Sequence, residues 1–135
     1  YALACALALG LPVDFFLKTL QEMSLCTIRF LHYPPCEFGA TSIEQINMPT
    51  RIGEHTDFGC YTFLLLGEHG AEGLQIKPIE GGEIGGLSGG EEGGWIDVVV
   101  PRNGAIINTG ALMARWTNDE WRATAHRVIV PSELA

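Results

Sequence analysis

The chain has 135 residues, 47% of them hydrophobic and 18% charged, so it is long enough for one compact domain and apolar enough to bury a core. Its net charge is −8 and its few basic residues are scattered, which argues against binding to nucleic acid or to an anionic membrane surface. The chain begins inside an apolar run at Tyr1 and stops after a strand-like segment, so we expect a fragment of a longer protein.

The N-terminal residues and the cysteines indicate in which cellular compartment we expect the protein. The apolar run at residues 1–13 is too short to cross a bilayer and lacks the basic start of a signal peptide. The cysteines form no C-x-x-C pair, which favours packed, reduced thiols over a zinc ribbon or a redox motif. They are Cys5, Cys26, Cys36 and Cys60. We expect a cytoplasmic protein, and a monomer.

Two helices are predicted at the start of the chain. Residues 1–9 are rich in Ala and Leu, which predicts the end of a helix with Gly10 as its C-terminal cap. Pro12 suits the first turn of a second helix that runs to about Met23. We therefore expect a helical segment at residues 1–26, leading into a β-rich core at residues 27–135.

The rest of the chain predicts short strands separated by turn signals. The strand candidates are residues 26–33, 42–46, 51–55, 60–66, 73–78, 95–100, 105–108 and 124–130. Between two of them lies the acidic, glycine-rich stretch at residues 80–94, which we interpret as an elongated hairpin loop. It is a poor phosphate-binding loop, because no helix start follows it. Many short strands without intervening helices favour a mainly β fold, a sandwich or a barrel such as a jelly roll.

The segment RIGEHTDFG contains a candidate metal site. Residues two apart on a strand point to the same face, so His55 and Asp57 can reach one point in space. His126 lies in a distant strand candidate that can pair opposite them. Two imidazoles and one carboxylate form the facial triad of non-haem Fe(II) oxygenases, but hydrolytic zinc sites use the same ligands. Without the surrounding pattern, unrelated histidines would be the simpler interpretation.

Seven segments, in this order, resemble the isopenicillin N synthase-like 2-oxoglutarate/Fe(II) oxygenases. They are HYPP (residues 32–35), RIGEHTDFGCYTFLL, GLQI (73–76), WIDV (95–98), AIINTG (105–110), RWTN (115–118) and ATAHRVIVP. No single segment is decisive, but their order and spacing are specific, and they cover nearly everything from about Thr27 onward. The two predicted helices correspond to the helical piece that precedes the core of this family.

The resemblance implies a double-stranded β-helix (jelly roll) that binds Fe(II) through His55, Asp57 and His126. It also implies 2-oxoglutarate as co-substrate, with Tyr33 as a hydrogen-bonding contact, although a structural aromatic at a strand end is an equal interpretation of Tyr33. The implied reaction couples decarboxylation of 2-oxoglutarate by dioxygen to oxidation of a C–H bond in a small organic substrate. A zinc-dependent hydrolase and a non-catalytic jelly-roll binding domain are the alternatives.

The chain departs from the family pattern in two places. The Arg-x-Ser motif that anchors 2-oxoglutarate would fall beyond Ala135, so the anchor is not assigned. Ala111 stands where relatives often carry Asp after the N-x-G turn. We interpret Asn108, Trp116 and Arg127 as structural residues, with the Arg127 side chain facing away from the metal.

Overall fold

A computed structural model of the chain describes residues 1–20, 26–34, 50–66, 72–78, 94–100 and 103–130. The chain divides into two compact units, Tyr1–His32 and Tyr33–Ala135. Of the helices within these described ranges, none has both the length and the hydrophobicity that a membrane crossing requires.

The first unit contains two short helices, α1 (Ala2–Ala8) and α2 (Phe15–Thr19). Gly10 follows α1 in the left-handed region, with φ +66°, and it ends the helix as the sequence predicted. The N–H groups of Gly10 and Leu11 donate to the carbonyls of Leu7 and Ala6, the paired bonds of a Schellman motif.

The second helix is shorter at its start than predicted. Its first residue is Phe15 and not Pro12, because the Pro12 carbonyl accepts a hydrogen bond from the Phe15 N–H in a preceding turn. The side chain of Asp14, at the N-cap, pairs with Lys18 at 2.7 Å and does not cap the backbone. The described helix ends at Thr19 with Leu20 as its C-cap, earlier than the predicted end at Met23, which itself lies outside the described residues.

The strand predicted at residues 26–33 is wrong. Residues 26–34 have no regular secondary structure, and the side chains of Ile28 and Phe30 are 84% and 97% exposed. Aromatic and β-branched residues favour a strand only where a neighbouring strand pairs with the backbone, and none of the described strands pairs with this segment. The candidate at residues 42–46 lies outside the described part of the chain.

The second unit is mainly β, and all of its described strand pairs are antiparallel. Its strands are β1 (Thr50–His55), β2 (Tyr61–Leu65), β3 (Leu74–Ile76), β4 (Ile96–Asp97), β5 (Ala105–Thr109) and β6 (His126–Ile129). One sheet has the order β1-β6-β3-β4, and the other pairs β2 with β5. These strands confirm the candidates from residue 51 onward, although β4 is only two residues long. The glycine-rich stretch that we interpreted as a hairpin loop lies outside the described residues except for Gly94, and the strands on either side of it, β3 and β4, are paired antiparallel.

A third helix, α3 (Ala111–Trp116), was not predicted. It buries Met113 and Ala114, which are the buried hydrophobic residues of this unit's described part together with Ile129 and Val130. The helix is followed by a turn in which Asn118 and Asp119 have φ of 52° and 62°. Asn and Asp tolerate this left-handed conformation better than other residues with side chains.

Candidate metal centre

The two histidines of the centre face each other across neighbouring strands. His55 and His126 are Cα partners at one end of the β1–β6 ladder, and their ring centroids are 4.3 Å apart. The register between these strands shifts twice, between Thr50 and Ile52 and again between Ile52 and His55. Such irregularities re-aim side chains along a strand and are common beside active sites. The ladder therefore brings together two imidazoles that are far apart in the sequence.

Both rings are held by the same local hydrogen bond. The Nδ1 atom of His55 lies 2.8 Å from the carbonyl oxygen of Gly53, and Nδ1 of His126 lies 3.1 Å from that of Thr124. A carbonyl oxygen only accepts, so Nδ1 carries the hydrogen in each ring. In the neutral ring the lone pair is then on Nε2, the atom that faces the site. This arrangement of metal-ligating histidines fixes both the tautomer and the ring orientation.

The sequence argument treated Asp57 as a strand residue two positions after His55, but in the structure Asp57 does not lie on a strand. Strand β1 ends at His55, and Asp57 belongs to the loop that follows. The backbone of this loop is tied to the start of α3, where the Ala111 N–H donates to the Asp57 carbonyl at 2.7 Å. The Leu112 N–H donates to the carbonyls of Phe58 and Gly59, both at 3.2 Å. These bonds satisfy N–H groups that a helix start leaves open.

The close approach of this loop to α3 requires glycine at position 110. A Cβ atom there would overlap the carbonyl oxygen of Gly59 and lie 2.9 Å from that of Asp57. Gly110 is buried, and its N–H donates to the Cys60 carbonyl at 2.9 Å. Gly110 therefore allows the close packing between this loop and the start of α3 that fixes the position of Asp57.

The Asp57 carboxylate is oriented by the second sheet. Thr62 Oγ1 and Asn108 Nδ2 both donate to its Oδ2 atom, at 2.6 and 2.9 Å. Its other oxygen, Oδ1, lies 4.0 Å from Nε2 of His55 and 3.7 Å from Nε2 of His126. One carboxylate oxygen thus accepts hydrogen bonds from the second sheet, and the other faces the two imidazoles.

The pKa of Asp57 favours the charged form. Partial burial is the largest single influence and raises this pKa, but the hydrogen bonds from Thr62 and Asn108 and the nearby imidazoles of His126 and His55 outweigh it. The net effect lowers the pKa below its ordinary value, so the carboxylate is ionised at neutral pH.

The three side chains fit a divalent transition metal. One donor atom from each of His55, Asp57 and His126 lies within 4.8 Å of the others, close enough to surround one ion. Their side chains are 38%, 24% and 16% exposed, so the group is partly accessible to solvent. Two imidazoles and one carboxylate suit Fe(II) and leave other coordination positions for exogenous ligands.

Two other residues that the sequence analysis singled out, Tyr33 and Arg127, contact residues outside the triad. Tyr33 lies under the guanidinium of Arg51, with the Arg51 Cζ atom 5.7 Å from the ring centroid. Its contact with a co-substrate stays a prediction. Arg127 donates from Nε to Gln75 at 2.8 Å and covers the Trp95 ring at 4.1 Å, as expected for a structural side chain.

Sequence reasoning missed two supporting residues. Asn108 was interpreted as structural, yet its amide binds the carboxylate of the candidate ligand, and Thr62 was not singled out at all. Each is a polar residue in a mainly apolar strand, YTFLL for Thr62 and AIINT for Asn108. A polar side chain among apolar neighbours needs a hydrogen-bond partner, so these two positions could have been recognised in the sequence as candidates for hydrogen bonding.

The chain is similar to known oxygenases along most of its length. It is 36% identical over 124 residues to the 2-oxoglutarate-Fe(II) type oxidoreductase hxnY of Emericella nidulans, covering 91% of this chain and 31% of that protein. It is also 36% identical over 128 residues to the validamycin A dioxygenase of Streptomyces hygroscopicus subsp. limoneus, covering 94% and 30%. The chain therefore spans about a third of the length of these relatives.

A solved structure gives the same result for the fold. A 2OG-Fe(II) oxygenase family protein of Caulobacter crescentus matches 94% of this chain and 34% of its own length, with a TM-score of 0.63 and 29% identity. The sequence profile of the 2OG-Fe(II) oxygenase superfamily matches residues 23–134, which include all three members of the candidate triad. This agrees with the resemblance noted from the motifs, and the chain belongs to the 2OG-Fe(II) oxygenase superfamily.

Proposed function

We propose that the protein from which this chain comes is an Fe(II)- and 2-oxoglutarate-dependent oxygenase that oxidises a C–H bond of a small organic substrate. The observation that carries the proposal is the meeting of His55, Asp57 and His126 within 4.8 Å. Relatives named as 2-oxoglutarate-dependent enzymes support the choice of iron over zinc. The name of the validamycin A dioxygenase supports a small organic substrate.

We further propose that the two antiparallel sheets are parts of a jelly roll, with the metal between them. The histidines come from the β1–β6 ladder, whereas the residues that orient Asp57 come from β2 and β5. A site built from both sheets agrees with this fold, in which two packed sheets enclose the centre.

The three side chains would hold Fe(II), which supplies the dioxygen chemistry that couples 2-oxoglutarate decarboxylation to substrate oxidation. The residues of this chain contribute position and charge. The hydrogen bonds at Nδ1 keep both Nε2 atoms available, and the ionised Asp57 adds one negative charge. We propose Tyr33 as a contact for the co-substrate, because it belongs to the same compact unit and Arg51, from the strand of His55, covers its ring.

The test is oxygen-dependent succinate formation by the full-length protein. The purified protein is stripped of metal, reloaded anaerobically with Fe(II), and then given 2-oxoglutarate and air. We expect succinate to form with Fe(II) and not with Zn(II), and to be lost in Asp57→Ala. Tight zinc binding with hydrolytic activity in the absence of oxygen would instead identify a zinc hydrolase. Failure of the full-length protein to bind Fe(II) would point to a non-catalytic binding domain.

A further inference from the structure

Thr62 and Asn108 are cross-strand partners in the β2–β5 ladder, and both donate to the same oxygen of Asp57. Their register makes the convergence possible, because directly opposed residues on antiparallel strands have neighbouring side chains on one face. The donors differ in chemistry, one hydroxyl and one amide, but they share a single acceptor. The second sheet thus presents a two-donor clamp to the carboxylate.

The clamp leaves the two oxygens of Asp57 in different situations. Oδ2 accepts at 2.6 and 2.9 Å, whereas Oδ1 lies 3.7 and 4.0 Å from the Nε2 atoms of His126 and His55. Two donors on one oxygen restrict the orientation of the carboxylate more than one donor would, and hydrogen bonds to an ionised acceptor are among the stronger ones in proteins.

We propose that Thr62 and Asn108 are positioning residues that reserve Oδ2 of Asp57 for hydrogen bonding and aim Oδ1 at the metal position between the two imidazoles. The inference rests on the proposed function, since it assumes that a metal binds there. The inference also explains why the Asp57 carboxylate has this orientation. The two side chains that orient it lie on β2 and β5, not on the strands that carry the histidines. Outer partners of this kind affect metal binding because they orient the ligand before the metal arrives.

The exposure of Thr62 makes the proposal testable. Its strand position is exposed to solvent, and valine is a good strand residue of the same shape. Thr62→Val in the full-length protein should therefore fold, while Oδ2 loses one donor. Asn108 is half-buried, and Asn108→Leu removes the other donor at similar volume. Thr62→Ser keeps the hydroxyl and serves as the rescue variant.

Fe(II) dissociation constants are measured anaerobically for folded wild-type and variant proteins, alongside their unfolding temperatures without metal. We expect Thr62→Val and Asn108→Leu each to weaken Fe(II) binding by roughly tenfold, as losses of outer partners commonly do. Thr62→Ser should bind close to the wild type. Thr109→Val is the matched control, because it changes the neighbouring residue of β5, whose side chain alternates to the other face of the strand.

Two results would overturn parts of this account, and they are distinguishable. Unchanged Fe(II) affinity in a folded Thr62→Val variant, with only a lower unfolding temperature, would reduce the clamp to a structural element of the β2–β5 pair. If Asn108→Leu does not fold, the Thr62→Val result decides alone. Absence of Fe(II) binding by the wild-type protein would overturn the proposed function itself.

Discussion

His55 and His126 are direct partners across β1 and β6, and each ring is anchored through Nδ1 to the carbonyl two residues earlier in its own chain segment. The pair of candidate ligands is therefore built by backbone register and by local hydrogen bonds, which together bring both Nε2 atoms close to one oxygen of Asp57. Such preorganisation lowers the entropic cost of metal binding, because the ring orientations are already selected.

Removal of either histidine should abolish the site. His126→Ala in the full-length protein removes one of three donors, and we expect Fe(II) affinity to fall by more than about 100-fold, the upper range found for losses of outer partners alone. Oxygen-dependent succinate formation should be lost as well. The control is His32→Ala, which removes an exposed histidine outside the triad. Retained turnover in His126→Ala would show that the ligand assignment is wrong.

Gly110 should tolerate no side chain. Gly110→Ala places a Cβ atom against the backbone oxygens of Gly59 and Asp57, and neither can yield without moving the ligand loop. We expect a loss of about 1–3 kcal/mol in the free energy of unfolding, as for other overpacked sites, and weaker metal binding. Chemical denaturation of the full-length variant measures the first effect.

Gly53 provides a matched control for that substitution. A Cβ atom at this position meets nothing within 4 Å, and the carbonyl that accepts from His55 is kept in Gly53→Ala. We therefore expect a change within about 1 kcal/mol, in either direction. Equal effects of the two Gly→Ala substitutions would show that the close approach at Gly110 is unimportant.

Much of this unit was predictable because its signals are local. The strands follow from short apolar segments bounded by turn residues, and the pair His55 and Asp57 follows from a compact motif. His126, the distant member of the candidate triad, was predicted from its strand context and from the resemblance, since no local rule states that β6 pairs with β1.

The features that were missed depend on contacts between distant segments. Helix α3 is only six residues long, and its first N–H groups are satisfied by carbonyls of the loop after β1, more than fifty positions earlier in a chain that gives no local capping signal. Likewise, the hydrogen bonds of Thr62 and Asn108 to Asp57 follow from the pairing of β2 with β5. The false strand at residues 26–33 has the converse cause, since its composition favours a strand that no described neighbour completes.

If Tyr33 has the role that the resemblance implies, its hydroxyl contributes to 2-oxoglutarate binding and not to metal binding. Tyr33→Phe in the full-length protein removes only the hydroxyl and keeps the ring beneath Arg51. We expect the KM for 2-oxoglutarate to rise by about threefold to tenfold, the loss of one hydrogen bond of about 1 kcal/mol. Fe(II) affinity should be unchanged. An unaltered KM would favour the structural interpretation of this aromatic residue.

The face of β6 opposite His126 offers a test that separates stability from metal binding. Arg127 donates to Gln75, which is only 8% exposed and itself donates to Asp97 at 2.8 Å. Arg127→Met leaves the Gln75 oxygen without this donor and removes the cation above Trp95, so we expect a loss of about 1–3 kcal/mol in unfolding free energy. Fe(II) affinity should not change, because adjacent residues of a strand face opposite ways. Lys77→Met is the control. It removes a more distant cation from the same ring, 5.7 Å from the Trp95 centroid, together with a solvent-exposed salt bridge to Glu54 that contributes about 0–1 kcal/mol, and it leaves the Gln75 hydrogen bonds in place. Weakened metal binding in Arg127→Met, at temperatures where the variant is folded, would place this arginine in the support of His126.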